Sequence, residues 1–262
     1  KSPKLLKKIY YILFAVMMLC IACEIKLKPN DNAQSKIEVV RYDRLQSRYL
    51  TTGDFSALQE MNTEYAIETR TLIENVLKLG AVYEPDINSR FLNFYQDTLL
   101  QSVISAAETQ YANMEDINKS LTNAFNKAKK TLPGFIVPKI YTQIGAFDQS
   151  IIVGDTIIGI SLDKYLGEDY PAYIKFYSKA QRKTMTREYI VPDCLNFYLL
   201  SLYPSKNFDK KTQYEKDIHM ARVMYVTNEL VGYKAFSSQY INQVERYMNA
   251  HKEVKLINLL KL

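Results

Sequence analysis

The side chains best placed for chemistry in this chain are carboxylates in one short region. Glu168 and Asp169 stand side by side in "GEDYPAY" (167–173), Asp163 lies just before them, and Asp148 lies upstream. Two carboxyl groups held at a fixed separation can act as acid and nucleophile, or as acid and base, in glycoside hydrolysis. The same residues also suit a capped, solvated turn, and their spacing does not supply the alternating oxygens and closing Glu of an EF-hand loop. A catalytic zinc needs about three protein ligands and one open position. The chain has only two histidines, His219 and His251. Neither belongs to H-E-x-x-H, the spacing that puts two imidazoles on one helical face. No G-x-S-x-G elbow, phosphate loop or dinucleotide fingerprint occurs. Catalytic residues, metal ligands and a cofactor are therefore not expected. Cys194 reads as a small buried residue rather than a nucleophile. Tyrosine is abundant, with 21 copies against no Trp. Tyr165, Tyr170, Tyr173 and Tyr177 can line a groove for sugar or peptide, or can mark the boundary of a helical core.

The elements that position these residues are mostly helical. "IEVVRYDRL" (37–45) begins as a strand-like run. From Asp54 the apolar residues Leu58, Met61, Tyr65, Leu72 and Val76 recur at helical spacing, with Asp54 as a cap and Gly80 as the stop. A second helical stretch covers about 87–112, and Asp116 can cap a third that ends before Pro133-Gly134. From Phe135 the texture turns to β-branched and aromatic residues, which predicts a small antiparallel meander of about three strands turning at Gly154-Asp155. Beyond Ser161 the pattern is helical again: 193–204 capped by Asp193, 209–231 closed by Gly232, and a last run opened by Ser237. The fold class expected is α+β, mainly helical, in one domain with a small antiparallel sheet or hairpin beside the helices.

The N-terminal stretch says where the protein resides. Lys1, Lys4, Lys7 and Lys8 precede an apolar run, Ile9–Ala22, that is shorter than the roughly 20 residues a spanning helix needs. A basic flank, a short apolar core and a small residue before Cys23 describe an export signal ending in a lipobox. The expected organisation is a signal peptide over 1–22, a lipid-bearing Cys23 with a polar tether over 23–36, and one domain over 37–262. Removing the signal takes four lysines from a formal charge of +6. The remainder is close to neutral and carries no electrostatic footprint for nucleic acid. The chain is expected in the bacterial cell envelope, held to a membrane by its N-terminal lipid on the periplasmic side.

One segment adds a family. "IVPKIYTQIGAFDQSIIVGDTIIGISLDKYLGEDYPAY" (136–173) resembles the central signature of the gliding-motility lipoprotein GldB family of Bacteroidetes. It has that family's Tyr-Thr strand, Phe-Asp hairpin and Tyr-Leu-Gly-Glu-Asp before an aromatic, with "RYD" (41–43) and "IVPD" (190–193) in compatible order. The resemblance implies a zincin-like remnant without the zinc motif. The helix after the hairpin, "PDCLNFYLLSLYP" (192–204), has no His and no Glu, and Glu229 in the later helix lacks histidine partners. It further implies a non-catalytic accessory lipoprotein that meets envelope proteins through a groove or docking surface around Tyr141, Phe147, Asp148, Gln149, Asp163, Glu168 and Asp169. The alternatives are a carbohydrate- or peptide-binding lipoprotein and a divergent metallopeptidase.

Overall fold

A computed structural model describes residues 35–262. The expected signal, Cys23 and most of the tether lie outside the described residues. The described chain folds around a three-stranded sheet embedded in helices. It opens with an extended segment over residues 35–41, followed by α1 (Tyr42–Thr52). The strand expected over 37–45 is thus cut short: only Val40 bridges the sheet, in parallel with Tyr141. From Tyr42 onward the buried residues Tyr42, Leu45, Gln46 and Tyr49 recur at helical spacing.

The extended segment is bonded on its other side by side chains. The N–H groups of Ser35, Ile37 and Val39 donate to Asn126 Oδ1 (3.0 Å), Thr122 Oγ1 (2.9 Å) and Asn118 Oδ1 (3.1 Å). All three acceptors lie on α6 (Glu115–Thr131). Two residues of extended chain advance about 6.6 Å and four residues of helix about 6.0 Å. Alternate backbone donors therefore stay in step with every fourth helical side chain.

Between α1 and α6, both long helical runs are interrupted. The first becomes α2 (Phe55–Thr63), α3 (Ala66–Arg70) and a wider π turn, Thr71–Val76. Asp54 caps it as expected, accepting from Ser56 N at 2.8 Å, but the helix ends short of Gly80. The second run splits into α4 (Ile87–Phe94) and α5 (Thr98–Gln110). Here Asp97 caps a new start by accepting from Leu99 N at 2.9 Å. Asp116 is not the cap of α6. Asn113 accepts from Glu115 N at 2.7 Å, and Asp116 pairs instead with Arg187 at 2.6 Å.

The sheet comprises β1 (Lys139–Gln143), β2 (Ile151–Val153) and β3 (Ile157–Ser161), in the order β1-β3-β2. β2 and β3 form the expected antiparallel hairpin, with Gly154 N donating to Ile157 O at 2.9 Å. β1 pairs with β3 in parallel, so the sheet is mixed rather than a simple meander. Tyr141 faces Gly159 across this pair. A Cβ on Gly159 would lie 2.6 Å from Tyr141 Cζ and from its hydroxyl oxygen. Since Tyr141 is wholly buried, Gly159→Ala is expected to destabilise the protein by about 1–3 kcal/mol through overpacking, read as a lowered urea midpoint.

After the sheet come α7 (Pro171–Phe176), α8 (Lys179–Arg182) and α9 (Ile190–Leu202). α10 (Gln213–Val231) follows, entered through a Thr212–Glu215 capping box and closed by Gly232 at φ +87°. The last run breaks at His251 into α11 (Gln239–Ala250), capped by Ser238 rather than by the expected Ser237, and α12 (Leu256–Lys261). α9 packs on β2, β3, α6 and α10, and α1 covers β1. Among the described residues no helix is long and apolar enough to cross a membrane.

Candidate functional site

The stretch Gly145–Ser150 joins β1 to β2 and is fixed by an unusual number of side chains. Gln46 clasps the residue just before it, accepting from Ile144 N and donating to Ile144 O, both at 2.8 Å. Asp163, in the single turn Leu162–Lys164 after β3, then takes over. Its Oδ1 accepts from Gly145 N and its Oδ2 from Phe147 N, each at 2.6 Å. Lys164 Nζ donates to Phe147 O at 3.0 Å and to the Tyr177 hydroxyl at 3.1 Å. Tyr173 donates from its hydroxyl to Asp163 O and accepts from Leu166 N at 3.0 Å. Burial pushes the Asp163 carboxyl above its usual range, while the two backbone donors and Lys164 pull it back.

These bonds hold a strained backbone. Ala146 and Phe147 have φ of +51° and +66°, left-handed values that residues with a Cβ rarely adopt. Such positions cost of order 1–3 kcal/mol each and persist only where the surroundings over-determine them. At the tip, Asp148 and Gln149 are exposed, and Phe147 is half-buried beneath them. The Phe147 ring meets Tyr173 edge-on at 5.9 Å, and Tyr173 in turn meets Tyr170 and Tyr177 at 5.1 and 5.8 Å. The tyrosine cluster is thus the floor under the loop.

The other expected site residues separate. Tyr141 and Asp163 are both wholly buried, so neither can meet a partner at the surface: one is core and the other is the strut of the loop. Glu168 is half-buried, with its backbone carbonyl held by Arg182 at 2.8 Å. The Asp169 side chain is 93% exposed, 3.7 Å from Arg182. The carboxylates therefore do not converge on one pocket. His251 is exposed and stacks on Tyr247 at 4.3 Å. Glu229 is exposed as well. Among the described residues no group of three or more His, Cys, Asp or Glu side chains is placed to hold a metal ion.

A small cleft of about 240 Å³ lies beside the loop, lined in part by Ser150, Lys164, Tyr165, Tyr177 and Asp193. Asp193 is not the helix cap that its sequence position suggests. It sits in the first turn of α9 and accepts from the Tyr165 hydroxyl at 2.8 Å. Burial pushes its carboxyl up to about 7, against the opposing pull of the Tyr165 bond. Cys194 beside it is fully buried, and burial raises its thiol, which makes it unreactive. Gln46 and Lys164 give no local signal in the sequence, because each acts on a distant loop through a single polar group.

The family profile described as gliding motility protein GldB matches residues 24–241. No curated protein and no solved structure matches the chain. The match takes in the extended segment, the sheet, the strutted loop and the Asp193 cleft, and the chain belongs to the gliding motility protein GldB family.

Proposed function

We propose that the protein is a lipid-anchored, non-catalytic accessory lipoprotein of the cell envelope, acting through protein contacts made at the Phe147–Gln149 loop. One observation carries this reading. Both carboxylate oxygens of Asp163 are occupied by the backbone of the loop, so the most buried acid of the signature is committed to shaping a surface. A strained, over-determined turn that offers Asp148 and Gln149 to solvent is suited to rigid recognition, since its ordering cost is met before a partner arrives. Family membership supports the envelope setting and a lipoprotein-type anchor. On this reading the β2–β3 hairpin, backed by α9, is the wall of a former zincin cleft. Tagged chain purified from detergent-solubilised membranes tests the proposal. Asp148→Ala with Gln149→Ala should leave stability within about 0.5 kcal/mol yet remove a co-purifying envelope protein. Unchanged co-purification would count against the loop.

The Asp193 cleft favours a second reading, a carbohydrate- or peptide-binding lipoprotein. A carboxyl titrating near neutrality, a tyrosine hydroxyl and Lys164 border one recess. Glycan-array binding abolished by Tyr177→Ala would support it over the first.

A further inference from the structure

A second cavity, of about 410 Å³, lies between α10, α11 and α12, away from the loop. The helices α11 and α12 fall almost entirely beyond residue 241, where the family match ends. One wall carries Lys211, His219 and Arg222, and the opposite wall carries Val244, Tyr247 and Leu259. His219 is only 8% exposed as a residue; its ring nitrogens bond to no described protein atom and are not sealed from water, since they open on the cavity. Lys211 and Arg222 form no ion pair with a carboxylate among the described residues. Burial, and then the charges of Lys211 and Arg222, hold the imidazole below its usual range. The acid on the rim, Glu215, is engaged by the N–H and hydroxyl of Thr212 at 2.8 and 2.7 Å.

His219 and two partly exposed cations without an ion pair leave this wall positively charged and open to an acceptor. An oxyanion in the cavity can accept from Arg222 and His219 and screen the repulsion between the neighbouring cations. Lys211 and Arg222 outnumber Glu215 on this wall, which favours an anion of low charge. The guanidinium fork matches a carboxylate, and the facing Val244, Tyr247 and Leu259 suit an apolar or aromatic body. We propose that this cavity binds a small organic carboxylate, its head on Arg222 and His219 and its body against α11 and α12.

The titratable groups lining the cavity with His219 are Lys211 from the turn before α10, Tyr214, Glu215 and Arg222 on α10, and Tyr247 on α11; α11 adds the uncharged Gln243, and Leu259 on α12 and Leu262 after it bring apolar side chains. Only His219 among them gains charge as pH falls from about 7 to about 5, and a bound carboxylate favours its protonated form, so affinity should rise as pH falls through that window. Isothermal titration of the full chain with benzoate, acetate and benzyl alcohol tests this. Benzoate should bind at one site at least about tenfold more tightly than either fragment, and Arg222→Gln should weaken it about tenfold to a hundredfold, the loss expected for a charge-assisted bond. His219→Gln should flatten the pH dependence, with thermal unfolding confirming that both variants fold. Benzyl alcohol binding as tightly as benzoate, indifference to Arg222→Gln, or no saturation at about 10 mM benzoate, ten times a millimolar Kd, would overturn the assignment.

Discussion

Replacing Asp163 by alanine is expected to lower folding stability by about 3–5 kcal/mol, the range found when one partner of a buried charged network is removed. Three losses add. The N–H groups of Gly145 and Phe147 lose their acceptor inside the protein, Lys164 loses a neighbouring opposite charge, and the left-handed Ala146 and Phe147 lose the bonds that hold them there. Asp163→Asn separates charge from shape. It keeps the volume and one acceptor oxygen but turns an NH₂ group toward the second backbone donor, so a substantial loss is expected there too. Urea unfolding gives the magnitude, and hydrogen exchange at Gly145 and Phe147 gives the location. Fast exchange confined to this loop in a folded variant is the expected pattern. A stability within about 0.5 kcal/mol of wild type, the range of an ordinary surface substitution, would show that Asp163 is no strut.

The second large effect has the opposite sign. Asp193 titrates near 7 in the folded chain against an ordinary 3.8. Below about pH 4 it is protonated in both the folded and unfolded chains and costs nothing. Between that point and 7 the unfolded chain ionises while the folded chain keeps its proton, so stability falls as pH rises. A tenfold difference in proton affinity between the two chains is worth about 1.4 kcal/mol, which makes the full penalty about 4 kcal/mol above neutrality. Asp193→Asn keeps an acceptor for the Tyr165 hydroxyl and removes the titration. It should raise stability by about 2–4 kcal/mol at pH 8, with little change at pH 4. Urea unfolding at several pH values tests this, and an unchanged slope between pH 4 and 7 would refute it.

Much of the framework is legible in the sequence because its signals are local. Asp54 caps a helix, Gly232 closes one, Pro133-Gly134 follows the end of another, and Gly154-Asp155 turns the hairpin. The signature over 136–173 also points to the family that the profile match shows. What cannot be read there depends on distant partners. The parallel pairing of β1 with β3 seats Tyr141 over Gly159, a match invisible in either strand alone. The break at Asp97 is a local choice between continuing a helix and capping a new one, and apolar periodicity runs through it unchanged. Asp163 reads as a surface candidate because unpaired acids are rarely buried; here two backbone donors and a nearby lysine make burial tolerable. Nothing in "GAF" announces left-handed Ala146 and Phe147. Their conformation comes from Gln46, Asp163, Lys164 and Tyr177, contributed by three separate stretches of chain.

The central claim is that this strutted loop exists to touch another protein. A photo-crosslinking amino acid in place of Gln149, in the anchored chain within its own cell envelope, addresses it most directly. One discrete adduct is predicted, absent when the crosslinker replaces Tyr83, which is also exposed, at 86%, but lies outside the loop. The same faint ladder of products from both positions would mean that the loop faces only water.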